Sequence, residues 1–154
     1  MQETAAPAPP FVDEHARTIA APPEAAWAAL VRVLPRAFGG RAAERYARLI
    51  RCDPAAHAGA FPDVGSAIVG FRVARAEAPR ELVLVGRHRF SDYALTFRLD
   101  ALEDGTTRVR AETRAAFPGL GGRLYRAAVI GTRGHVVVLG RLLRAVERRV
   151  ERRG

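Results

Sequence analysis

Apolar and polar residues change their spacing several times along this chain, and each change marks an element. From Val12 to Ala21 the pattern suits an extended strand that Pro22-Pro23 ends. Ala25 to Leu34 then reads as a helix with Trp27, Leu30, Val31 and Leu34 on its inner face. Pro22 and Pro23 fit before or at its first turn, Glu24 suits its positive end, and Pro35 closes it. Arg41 to Ile50 predicts a second short helix with Tyr46, Leu49 and Ile50 turned inward. A loop rich in Pro, Gly and Asp follows from Asp53 to Gly65.

Period-two alternation then takes over. Ser66 to Ala76, Glu81 to Phe90, Asp92 to Leu102 and Thr106 to Phe117 read as strands, with turns at Ala78-Pro79, near Ser91 and at Asp104-Gly105. Asp-Gly between alternating runs is the strongest of these hairpin signals. Serial hairpins give an antiparallel meander with one buried face. The more apolar face carries Val69, Phe71 and Val73; Leu82, Leu84, Gly86, His88 and Phe90; Tyr93, Leu95, Phe97 and Leu99; and Val109, Ala111, Thr113, Ala115 and Phe117. The other face receives Arg87, Arg89, Arg98, Arg108, Arg110, Glu112 and Arg114.

The last stretch, Gly119 to Arg153, predicts a Gly-rich turn and then a single long amphipathic helix. Its apolar stripe runs through Leu124, Ala128, Gly131, His135, Val138, Leu142 and Val146, and its far face carries Arg126, Arg133, Arg141, Arg144 and Arg148. Gly131 and His135 interrupt the stripe where an unbroken core would prefer Leu. A helix that leaves space and a polar group on its inner face suits the roof of a cavity.

At 154 residues the chain is expected to form one domain, residues 12–153, behind a disordered tail, residues 1–11. It holds no apolar run long enough for a membrane span and no signal-peptide pattern, so a cytoplasmic location is expected. The lone Cys52 excludes an internal disulfide. All 25 basic residues are Arg in a chain of net charge +9, which excludes Schiff-base lysine chemistry. From Arg123 onward nine Arg and two Glu leave 9 − 2 = +7, so most of the excess sits on the last helix. A solvated helix face is the simpler reading of that charge; an anionic partner is the functional one.

The run Ile19-Ala20-Ala21-Pro22-Pro23-Glu24-Ala25-Ala26-Trp27-Ala28-Ala29-Leu30 resembles the I-x-A-P-x-E-x-x-W-x-x-L opening of the START-like, or SRPBCC, superfamily, which includes polyketide cyclases and Bet v 1-like proteins. With the terminal helix the resemblance spans about Asp13 to Arg149. It implies an α+β helix-grip fold, in which a curved antiparallel sheet wraps a long C-terminal helix around an apolar ligand cavity. Carriers, cyclases, dehydratases and regulators share that fold, so it implies no activity. No catalytic set of a cyclase is matched here.

His88, Tyr93 and His135 are the polar exceptions on the inner faces. They are either satisfied buried groups, groups that orient a ligand, or proton-transfer groups. His15, His57, His88 and His135 are dispersed, with no two at ligand spacing on one helix, so no metal and no cofactor is expected. Gly119-Leu120-Gly121-Gly122 lacks the spacing of a phosphate loop and reads as a chain reversal. The expected ligand-contacting set is Phe71, His88, Phe90, Tyr93, Leu95, Phe97, Phe117, Leu124, Ala128, Gly131 and His135. Binding of a hydrophobic or amphipathic small molecule is the expected function. A cyclase or dehydratase acting on such a molecule is the alternative, and an interaction module using the Arg-rich face is a second. No specific nucleic-acid partner is expected, weak association with an anionic membrane surface is compatible with the charge, and the oligomeric state is open.

Overall fold

A computed structural model describes residues 7–153. Within them the order is β1 (Phe11–Ile19), α1 (Pro23–Ala37), α2 (Arg41–Leu49), β2 (Ala67–Ile68), β3 (Phe71–Glu77), β4 (Glu81–His88), β5 (Ser91–Ala101), β6 (Thr107–Ala116), α3 (Gly119–Val129) and α4 (Gly134–Glu151). The architecture is α+β. All six strands join one antiparallel sheet in the order β1-β6-β5-β4-β3-β2, so the first strand pairs with the last and the meander fills the rest. Met1 to Ala6, most of the tail expected at the N-terminus, lie outside the described residues. Pro9 and Pro10 are already tied down, their carbonyls accepting from the Arg114 side chain at 3.3 Å and the Ala115 N–H at 2.9 Å. No helix among the described residues is long and apolar enough to cross a membrane.

The alternation sorts the sheet into a dry and a wet face. Leu82, Leu84, Leu95, Phe97, Leu99, Val109 and Ala111 are buried beneath Leu30 and Leu34 of α1 and Leu139, Leu142, Leu143 and Val146 of α4. On the opposite face the arginines are laced to carboxylates: Arg98 reaches Glu81 and Glu112, each at 3.1 Å, and Arg110 reaches Asp100 at 2.7 Å. Along β1, Asp13, His15 and Arg17 stand opposite Thr113, Ala111 and Val109 and therefore share the inner face. There α4 runs alongside β1, with the Arg17 guanidinium on Glu147 at 2.7 Å and the His135 imidazole on Asp13 at 2.5 Å.

Four expectations are corrected. Helix α1 continues past Pro35 to Ala37; the ring removes one intrahelical bond, while Leu34 remains fully buried and its carbonyl accepts the Phe38 N–H. Tyr46 and Leu49 of α2 are 52% and 75% exposed, because α2 turns its small Ala47 to the body instead, with Ile50 buried just beyond. The strand expected over Ser66 to Ala76 is broken by Gly70, whose φ of +84° makes a tight reversal between Ile68 and Phe71. The single long last helix is two helices. Between α3 and α4 the chain passes through Ile130 to Arg133, and Arg133 adopts the left-handed conformation at φ +56°.

Candidate functional site

The break between α3 and α4 has a direct structural consequence. Leu139 to Val146 fill one end of the space over the sheet, whereas at the other end the chain turns away from it and leaves a cavity of about 520 Å3. Its floor is the start of β5 and the end of β6, through Tyr93, Leu95, Thr113, Ala115 and Phe117. Phe38, Ala47 and Ile50 close one side, together with Val69 and Phe71 at the β2–β3 reversal. Tyr125, Val129 and Ile130 of α3, and His135, Val138 and Leu139 of α4, close the other. The walls are apolar with a few polar groups set among them.

Tyr93 owes its position to two glycines. It stands opposite Gly86 on β4, where a Cβ would collide with the Gly70 carbonyl and lie 2.7 Å from the Tyr93 ring. With no side chain there, the phenol crosses Gly86 and donates to the Gly70 carbonyl at 2.6 Å. Burial pushes this phenol far above its ordinary range, with the Cys52 thiol beside it adding to the effect. Its hydrogen is therefore committed to the backbone, and toward a ligand the hydroxyl can only accept. Burial also raises the Cys52 thiol itself, which disfavours a nucleophilic thiolate.

His88 sits at the end of β4, its ring 5.4 Å from that of Tyr93 and 4.7 Å from that of Tyr125. Its Nδ1 accepts the Phe90 N–H at 3.1 Å, so in the neutral ring the proton is on Nε2, which can donate. Burial lowers its basicity, partly opposed by the Asp92 carboxylate. Phe38, Phe71, Tyr93, His88 and Tyr125 form a continuous aromatic wall with successive centroids 4.7 to 5.4 Å apart.

His135 lies in the first turn of α4, against the sheet edge. Its Nε2 meets Asp13 Oδ2 at 2.5 Å, and His15 Nε2 meets the same oxygen at 3.1 Å. Burial works to raise the Asp13 carboxyl, but the hydrogen bonds and charges of the two imidazoles outweigh it and hold it below the usual carboxylate range. Asp13 Oδ1, His135 Nδ1 and Thr113 Oγ1 are buried without a partner among the described residues. These three atoms belong to one neighbourhood, since Thr113 faces Asp13 across the β1–β6 ladder.

Of the residues expected to contact a ligand, Phe71, His88, Tyr93, Leu95, Phe117 and His135 line the cavity. Phe97 is instead fully buried in the core, and Phe90 lies behind the wall, stacked on Tyr125 at 5.3 Å. Leu124, Ala128 and Gly131 point away: Leu124 is 75% exposed, and Ala128 and Gly131 are exposed as well. Their placement followed from continuing one helical stripe through a break. Sequence reasoning left Tyr125, Tyr46, Cys52 and Thr113 out of the ligand-contacting set, although it had turned Tyr46 and Thr113 inward and the half-exposed Tyr46 does line the cavity mouth, and it treated the histidines as dispersed although His15 and His135 meet at Asp13. One local signal was present, because Asp13-x-His15 on an alternating strand places both side chains on one face. Nothing local announced the third member, 120 residues further on.

The chain matches no protein-family model and no curated protein. Solved structures share its fold. A protein from Rhodobacter sphaeroides is 20% identical over 92% of each chain with a TM-score of 0.58. CV1439 from Chromobacterium violaceum is 15% identical over 90% of this chain and 96% of that one, with a TM-score of 0.56. CalU16 from Micromonospora echinospora is 17% identical over 90% and 82%, with a TM-score of 0.51. At these identities the likeness is one of fold alone, and it extends over nearly the whole chain.

Proposed function

We propose that this chain is a START-like protein of helix-grip type that binds a hydrophobic or amphipathic small molecule, lipid-like or polyketide-like, in its internal cavity. The cavity itself carries the reading. Its volume of about 520 Å3 falls within the roughly 300–1,000 Å3 of small-molecule sites, and its walls pair apolar surface with a few placed polar groups. The aromatic wall suits a flat or unsaturated body. His88 Nε2 as donor, and Tyr93 and Thr113 as acceptors, suit a polar head. The I-x-A-P-x-E-x-x-W-x-x-L opening and the whole-chain likeness to solved structures support the fold assignment.

The runner-up, a cyclase or dehydratase acting on such a ligand, draws on one observation. His135 lies on the cavity wall with its ring oriented by Asp13, the arrangement of a base and the group that positions it. Native mass spectrometry of protein purified from cells tests the binding reading. A retained small molecule that leaves on denaturation supports it; a uniformly ligand-free mass, with no uptake of apolar compounds added afterwards, refutes it.

A further inference from the structure

We propose that Asp13, His15 and His135 form a binding site for a divalent first-row transition ion of the zinc class. The site shares His135 with the cavity wall, but its three ligands are the chain's own side chains and need no cavity ligand to converge. Among the described residues this is the one group of three His, Cys, Asp or Glu side chains whose ligand atoms all lie within 4.8 Å of one another. Two imidazole Nε2 atoms converge on one carboxylate oxygen, at 3.1 and 2.5 Å. Ligand bonds of about 2.0–2.1 Å in a tetrahedron place neighbouring ligand atoms about 3.3 Å apart. Asp13 and His15 already stand near that spacing, His135 needs to withdraw from Asp13 by less than about 1 Å, and the two imidazoles, within 4.8 Å of each other, close to it by side-chain rotation. Two nitrogens and one oxygen suit zinc, cobalt or ferrous iron and do not suit magnesium or calcium, which take oxygen ligands.

The fold holds the three ligands in a way that a chance surface cluster would not. Asp13 and His15 are fixed two residues apart on the inner face of β1, which is paired to β6 from Asp13 to Ile19. His135 is delivered from the first turn of α4, whose other end is pinned to the same strand by Arg17 and Glu147. The side chains are 30% (His15), 24% (Asp13) and 15% (His135) exposed, so an ion can enter while most of the cluster stays shielded. Asp13 Oδ1 is buried with no partner among the described residues, and only a carboxylate that binds the ion through both oxygens would satisfy it. Three protein ligands leave at least one position free for water or a ligand atom. Metal binding moves the ring protons from Nε2 to Nδ1 and releases any extra proton of an imidazolium.

The test is calorimetric titration of chelator-stripped protein with zinc chloride, repeated with cobalt chloride while recording the visible spectrum. One zinc per chain at micromolar affinity or tighter is expected, with a cobalt absorption typical of low coordination number and no competition from millimolar magnesium. His15→Ala is the deciding variant, since the His15 side chain hydrogen-bonds to Asp13 on its own strand and its loss leaves the His135–Asp13 link intact. As loss of a direct ligand it should weaken zinc binding by at least the roughly 10- to 100-fold that losing an outer-shell partner costs and sharply reduce the zinc-dependent rise in melting temperature. His57→Ala, which removes an exposed histidine elsewhere, should bind like the wild type. Zinc affinity only in the millimolar range, or unchanged affinity in folded His15→Ala protein, would overturn the site.

Discussion

His88 shows how much one inward position on a strand decides. Alternation along β4 put its ring inside, and burial there favours the neutral imidazole. The folded-state pKa therefore lies below the ordinary value of 6.5, and the unfolded chain takes up its proton first as the pH falls. This residue's contribution to stability is complete above about pH 6.5 and is lost as the pH drops toward its folded-state pKa. In chemical denaturation across pH 5 to 8, the stability of the wild type relative to His88→Phe should decline below about pH 6.5. Parallel curves for the two proteins would show that the ring is not held neutral. The inward set on β4 to β6 was legible because an alternating strand has only two faces. What Tyr93 does there was not, since its bond to Gly70 depends on a reversal that reads locally as a continuous strand.

At the scale of elements, the division of the last helix matters most for function. Residues 119–153 keep a helical apolar rhythm throughout, so periodicity alone reads one helix. The left-handed Arg133 cuts it in two and rotates Leu124 and Ala128 out of register with Leu139 and Leu142. A non-glycine residue in that conformation costs about 1–2 kcal/mol, and Arg133 is exposed. Arg133→Gly should therefore raise stability by about 1 kcal/mol in urea denaturation. A comparable loss would mean that the arginine side chain holds the break. By contrast, Gly131 stands outside the cavity in the break after α3, where a Cβ would press on the Ala127 carbonyl of that helix. Enlarging it strains the chain and fills no space. The turn at Asp104-Gly105 lies at the other extreme: Gly105 has φ +81°, and a two-residue sequence signal was enough to locate it.

Across the whole molecule the charge is unevenly answered. On the outer sheet face Arg98, Arg110 and Arg114 are paired with Glu81, Asp100 and Glu112, whereas among the described residues no arginine from Arg123 onward forms an ion pair. The helical side of the protein is consequently its positive side. Association with anionic vesicles or nucleic acid should be weak and should fall steeply between low and physiological salt, as counterion release requires. Tight, sequence-selective nucleic-acid binding at physiological salt would contradict the small-molecule reading. The order of elements and the sheet's inner face could be read from sequence because they rest on periodicity and turn chemistry. The cavity could not be located that way, because it is set by where α3 turns away from the sheet and by which side chains arrive from β1, α2 and α4 together.

The central claim is that this cavity takes up an apolar ligand, and Ala115 offers the most direct way to examine it. Ala115 lies on the cavity floor at the end of β6, buried and directly opposite Tyr93. Ala115→Leu adds three carbons to that floor without altering charge, at a stability cost of about 1–3 kcal/mol. The measurement is the affinity of an environment-sensitive apolar fluorophore for wild type and variant, with folding of both confirmed by circular dichroism. Saturable binding to the wild type at low-micromolar affinity, weakened about tenfold or more in folded Ala115→Leu, is the predicted result. Equal affinity for the two folded proteins, or no saturable binding to either, would contradict the account.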